Sequence, residues 1–394
     1  MDSLSVANGS FLLDLYKKLI QTSEGNIFFS PWSITSVLAM VHMGARGRTA
    51  SQMAEVLRFN ASPEESERSS QEPGLSKDET TNSQFQELIS KINQPKNTYL
   101  LKTANRVYGE KTFDFNSEYL QLTKKYYHAE LQPVDFLNAA EQVREQINVW
   151  VEKQTNNKIK NLLPKDSVGA QTALVIVNAI YFKGKWDQRF EKANTTEKPF
   201  RLSKTQSKPV QMMFLKGTFP TFYIDILRVR ILELPYENND VSMFIMLPKD
   251  IEDESTGLEL LEKELTYERL SIWTSPEMMQ KRKVELHLPR IKLEESFDLK
   301  STLSSMGMKD AFIPAQANFS GMSKKGDLFL SEVYHKSFLE INEEGTEAAA
   351  ASAATVVIRS SQQPIKIEAN HPFIFLIWHK ATKTTLFFGR FSAP

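Results

Sequence analysis

Residues 343–361 read Glu-Glu-Gly-Thr-Glu-Ala-Ala-Ala-Ala-Ser-Ala-Ala-Thr-Val-Val-Ile-Arg-Ser-Ser. Alanine is the best helix former, yet a helix here has no large apolar stripe to bury and little charge to solvate it. Read as a strand, alternate residues fall on opposite faces. One face is Thr346, Ala348, Ala350, Ser352, Ala354, Val356 and Ile358, all uncharged and mostly small. The other is Glu347, Ala349, Ala351, Ala353, Thr355 and Val357. A strand with one small, neutral face can slide into a sheet over packed helices without burying a charge or clashing. Gly345 suits the hinge such a movement needs.

The sequence around this segment supplies both sheets and helices. Leu174-Val-Ile-Val-Asn-Ala-Ile-Tyr-Phe182 is almost continuously apolar and reads as a strand buried on both faces. Asn178 interrupts it, and a buried amide requires a specific hydrogen-bond partner. Further strands are expected at Val241–Leu247, at the alternating Val284–Leu288, and at Phe373–Trp378 and Leu386–Phe391 flanking a polar turn. The first third reads as helices. Phe11, Leu15 and Leu19 share a face, as do Val143, Ile147, Trp150 and Val151. Thr49 with Gln52, and Ser83 with Gln86, have the spacing of capping boxes. Shorter helices are expected near 258–265 and 298–306. Residues 60–82 are polar, with Pro63, Pro73, Gly74 and many Ser and Glu, and read as a long inter-helix loop. No repeat or linker divides the chain, so residues 1–394 are expected to form one large mixed α+β domain.

Composition narrows the function classes. Forty-eight basic and 48 acidic residues cancel, so nothing global draws the chain to nucleic acid or an anionic membrane. The absence of cysteine excludes disulfides, thiolate metal sites and a cysteine nucleophile. Sequons occur at Asn8, Asn60, Asn194 and Asn318. The N-terminus lacks a signal-peptide pattern, and no apolar run reaches membrane-span length. A cytoplasmic chain, also released by a non-classical route, is the expectation. There is no nucleophile elbow, Walker loop, dinucleotide fingerprint or zincin motif. No pair among the six histidines has helical metal-ligand spacing. Nothing implies an enzyme, a cofactor or a metal.

Glu344-Gly-Thr-Glu-Ala-Ala-Ala-Ala-Ser352 resembles the hinge of inhibitory serpins. Other family landmarks follow in order: Asn26-Ile-Phe-Phe-Ser-Pro-Trp-Ser33, Phe182-Lys-Gly-Lys-Trp186, Glu233-Leu-Pro-Tyr236, Asn318-Phe-Ser-Gly-Met322, His335 and Asn370-His-Pro-Phe373. The resemblance spans essentially the whole chain and is greatest to the ovalbumin-type, clade B branch. The absence of cysteine departs from the usual pattern of that branch.

The resemblance implies a serpin fold: a central five-stranded, mainly antiparallel sheet, two further sheets, eight to nine helices and an exposed reactive-centre loop at 343–362. It implies a hinge at Glu344, Gly345, Thr346, Glu347, Ala348, Ala349, Ala350, Ala351 and Ser352. It places Ser30, Ser33, Asn178 and His335 in a hydrogen-bonded cluster beneath the sheet, where strands must part. Trp186 falls at the top of the sheet, where the hinge enters. Family register puts the scissile bond at Arg359–Ser360. An arginine there fits a protease whose primary pocket ends in an aspartate, such as trypsin, plasmin, urokinase or thrombin. The implied function is suicide inhibition of such a protease through a covalent complex, by a monomer. The alternatives are a serpin with a storage, carrier or chaperone role and a cross-class inhibitor of cysteine proteases.

Overall fold

A computed structural model describes residues 2–59, 77–345 and 363–394. The apolar run at Leu174 becomes the strand Leu174–Gly184, buried at every position except Lys183. Its odd-numbered residues Val175, Val177, Ala179 and Tyr181 pack with Phe136, Val143, Ile147 and Val151 of one helix. Its even-numbered residues Leu174, Ile176, Ile180 and Phe182 face the larger core. Each such side chain contributes roughly 1.5–3 kcal/mol on burial, which anchors this strand as the axis of the molecule.

Among the described residues the helices are α1 (Asp2–Leu19), α2 (Pro31–Gly44), α3 (Gly47–Val56), α4 (Lys77–Ile92), α5 (Ser117–Tyr127), α6 (Phe136–Gln154), α7 (Glu259–Glu264), α8 (Tyr267–Trp273) and α9 (Lys300–Met306). The strands are β1 (Ile27–Phe29), β2 (Tyr99–Glu110), β3 (Glu130–Val134), β4 (Leu174–Gly184), β5 (Thr196–Arg201), β6 (Ser207–Ile224) and β7 (Val229–Pro235). They continue with β8 (Val241–Pro248), β9 (Gln280–Pro289), β10 (Ile291–Asp298), β11 (Leu330–Ile341), β12 (Ile365–Glu368), β13 (Phe373–His379) and β14 (Thr384–Phe391).

A five-stranded sheet has the order β10-β11-β4-β2-β3. Its outer pairs β10·β11 and its inner pair β2·β4 are antiparallel, while β11·β4 and β2·β3 are parallel. The remaining strands form one hydrogen-bonded path, β1-β14-β13-β8-β7-β6-β9-β12, with β5 on β6. Two further sheets were expected from the resemblance; here they are continuous because the 18-residue β6 pairs in turn with β5, β9 and β7.

Neither capping box forms. Thr49 lies inside α3, where its buried hydroxyl accepts the Asn318 amide at 3.0 Å. Gln52 reaches instead to Lys309 and Asp310. Ser83 and Gln86 lie well inside α4, which already starts at Lys77. Residues 77–82 of the expected loop are thus helical, and 60–76 lie outside the described residues.

Candidate functional site: the hinge and the strand junction

The parallel pair β11·β4 is the centre of interest. His335 sits directly opposite Asn178 in its register. Both side chains point to the face that carries Ile176, Ile180 and Leu339, toward the start of α2. His335 Nε2 accepts the Ser30 amide at 3.1 Å. The ring proton therefore lies on Nδ1, which donates to Asn178 Oδ1 at 2.5 Å. Asn178 Nδ2 lies 2.8 Å from Ser33 Oγ, 3.1 Å from Ser33 O and 2.6 Å from Asn105 Oδ1. Full burial pushes the His335 pKa down to about 3, so the ring is neutral across the physiological range.

Ser30 is the N-cap of α2 but does not cap with its side chain. Its hydroxyl donates to Leu386 O of β14 at 2.6 Å. One short polar network thus ties two strands of the central sheet to a helix and to the second sheet. Ser30, Ser33, Asn178 and His335, singled out from sequence, meet here. One member, and a separate buried serine on the same strand as His335, were missed. Asn105 lies opposite Asn178 on β2, and Ser337 donates to Phe28 O at 3.0 Å. A polar residue in a strand is an ambiguous signal, because it equally marks a solvent face.

The top of the same strand pair is also closed by specific contacts. After β11 the chain turns at Asn342–Gly345. The Trp186 amide donates to Glu344 O at 3.0 Å and the Phe190 amide to Glu343 O at 2.8 Å. Trp186 Nε1 donates to Asn342 O at 3.0 Å, and its ring stacks on Tyr236 with centroids 4.4 Å apart. Gly345 forms a bridge with Lys185 and has φ +123°. A Cβ there would lie 2.3 Å from Gly184 O. Only glycine fits this position, on both steric and conformational grounds.

Glu343, missed as a site residue, is buried and accepts from Thr195 Oγ1 at 2.7 Å and from Arg290 Nε at 2.8 Å. Burial pushes its pKa up, but the Arg290 and Thr195 hydrogen bonds outweigh this and hold it below the ordinary range. Its partners lie far away in sequence, which hides the contact from any local reading. Glu344 pairs with Lys192 at 3.1 Å. The remaining predicted residues, Thr346 to Ser352, Arg359 and Ser360, lie outside the described residues.

Comparison with known proteins agrees with this geometry. The serpin (serine protease inhibitor) family model matches residues 6–394. The chain belongs to the serpin family. The serpin is 52% identical to Serpin B10 of Homo sapiens over 401 residues, covering all of both chains. It is 48% identical to plasminogen activator inhibitor 2 of Homo sapiens, again over the full length of both. Its fold matches the crystal structure of uncleaved ovalbumin with a TM-score of 0.85 at 37% identity and complete coverage of both chains. Maspin matches with a TM-score of 0.88 at 39% identity, covering 100% of this chain and 99% of that one. These relatives belong with the ovalbumin-type branch. Among the described residues no group of His, Asp and Glu could hold a metal ion. No described helix is long and apolar enough to cross a membrane.

Proposed function

We propose that this serpin inhibits trypsin-like serine proteases as a suicide substrate cleaved between Arg359 and Ser360. The observation that carries the proposal is the docking of Glu343–Gly345 at the end of the β11·β4 pair. β11 runs up to this turn and β4 runs parallel to it. A chain that continues from Gly345 back down between them runs antiparallel to both, the better-aligned ladder geometry. The residues that follow have the small, neutral alternate face such an entry needs.

The protease serine attacks the Arg359 carbonyl, the Ser360 amine leaves, and an ester links Arg359 to the enzyme. Water would normally hydrolyse that ester. Insertion of the freed segment adds about a dozen ladder hydrogen bonds at roughly 1 kcal/mol net each. It drags the tethered protease, and misplacement of about 1 Å costs roughly 100-fold in rate. Deacylation then stalls. The intact form is held by a kinetic barrier, to which the His335–Asn178 network and the Trp186 contacts contribute. On this reading the chain is an inhibitor and not a catalyst, and its partner is the protease in a covalent complex.

Arg359 sets the target class through a bidentate pair with an aspartate at the base of the protease pocket. Arg359→Ala should lower the second-order rate of trypsin inhibition by at least about 100-fold, since an unpaired buried charge in the pocket costs several kcal/mol. Progress curves of a chromogenic arginine substrate measure this. An unchanged rate would show that the register or the protease class is wrong.

A further inference from the structure

A cleft of about 490 Å3 away from the hinge region lies across strands β7, β6 and β12 of the second sheet. Arg201, Arg230, Lys249 and Lys366 line it, against a single lining carboxylate, Glu368. Two of these cations are already neutralised: Arg201 pairs with Asp250 at 2.7 Å and Lys366 with Glu368 at 2.9 Å. Among the described residues neither of the other two makes a close ion pair, and the carboxylate acting on Arg230 is the more distant Asp225. Arg230 is half-buried, its guanidinium 4.8 Å from the centre of the Tyr223 ring. Burial, with Arg282 nearby, lowers its pKa despite the Tyr223 hydroxyl and the Asp225 carboxylate. A cation held in this way, facing other cations, is destabilising until an anion joins it.

The rest of the lining is fixed. His371 Nε2 lies 2.6 Å from Pro248 O and Nδ1 lies 2.8 Å from Asn370 Oδ1. Burial lowers its pKa, with the Pro248 hydrogen bond acting the other way. The volume lies within the range of small-ligand sites, and a few convergent polar groups in such a cleft fix ligand orientation. Paired Arg and Lys groups are suited to a tetrahedral oxyanion.

We propose that this cleft binds the phosphate group of a small anionic ligand, with Arg230 and Lys249 as its main partners and Lys366 recruited from β12. β12 is a strand of four residues that, among the described residues, pairs only with β9. It is the first element after the segment carrying Arg359. An anion bridging Lys366 to Arg230 therefore staples that strand to the body of the sheet. This binding does not depend on the inhibitory reading.

The test is the melting temperature of the full chain with pyrophosphate, against sodium chloride at equal ionic strength. A rise of roughly 2–4 °C at 10 mM is expected, with slowed amide exchange at Ile365–Glu368. Arg230→Met should remove the rise. Arg228→Met, which removes an exposed arginine paired with Glu252 outside this cleft, should keep it. No rise beyond the salt control, or the same rise in Arg230→Met as in the unaltered chain, overturns the proposal. A heparin fragment run in parallel distinguishes the sources of the oxyanion. A rise with the sulfated fragment alone would overturn the assignment to a small phosphate.

Discussion

At the residue scale, His335 is the most constrained polar group of the junction. It satisfies the Ser30 amide and the Asn178 carbonyl oxygen at once, and neither has access to water. Removing the ring leaves two buried groups unpaired, each at a cost of about 1–3 kcal/mol. His335→Ala should therefore lower stability by about 3 kcal/mol, read from the shift in the urea unfolding midpoint. It should also speed loss of inhibitory activity on storage, because the same bond holds β4 to β11. A variant with an unshifted midpoint would show that the network is already satisfied some other way. Asn178 was legible in the sequence as an amide needing a partner. The residues around it did not name that partner, since His335 is 157 residues away; only the family resemblance grouped the two, and the parallel register is what brings them together. Glu343 was illegible for a similar reason, its worth depending on Arg290 from the start of another strand.

At the element scale, buried strands and amphipathic helices were readable because their periodicity follows from which faces are buried. β4, β8, β13 and β14 stand within one or two residues of their expected positions. The Thr49–Gln52 capping box failed because both residues found tertiary partners, and the Ser83–Gln86 box because the helix already includes Lys77, six residues earlier. The continuity of the second sheet was unreadable, since it depends on how one long strand bends. The hinge argument also makes a prediction about an element. On the proposed mechanism, entry of the segment after Gly345 requires a neutral residue at Thr346, the first position of the small, neutral alternate set. Thr346→Arg places a cation beneath the sheet, where burial costs several kcal/mol. This variant should still be cut after Arg359 but should release active trypsin, and far more inhibitor should be consumed per trypsin molecule. Titration of residual trypsin activity measures that ratio; a ratio unchanged from the parent chain would mean that insertion does not begin at Thr346.

At the scale of the whole molecule, opposing titrations shape stability against pH. His335 has its pKa depressed to about 3 by burial, so below its unfolded value of about 6.5 the unfolded chain binds the extra proton. Its contribution is complete above pH 6.5 and is lost as pH falls toward 3. Glu295 and Glu332 behave in the opposite sense. Burial, with Glu294 beside the first and Asp298 beside the second, raises each to about 7. The native state then holds protons that the unfolded state has released, and stability falls as pH rises from about 4.5 to 7. Both groups are partly solvated, so after allowing for screening each is worth on the order of 1 kcal/mol. The melting temperature should therefore pass through a maximum between about pH 4.5 and 6.5, where the two windows overlap. Glu295→Gln with Glu332→Gln should flatten the alkaline side and leave the acid side unchanged; an unchanged alkaline side would assign that slope to other groups. On the proposed mechanism inhibition is also a property of the whole molecule, since the cut, the hinge and the strand junction must act in sequence. The protein mixed with trypsin and run on a denaturing gel tests this directly. The account predicts a band that survives SDS at about the summed mass of the two proteins, with mass spectrometry placing the cut after Arg359. Cleavage there with no stable band would contradict it, because the chain would then be a substrate whose loop never traps the enzyme.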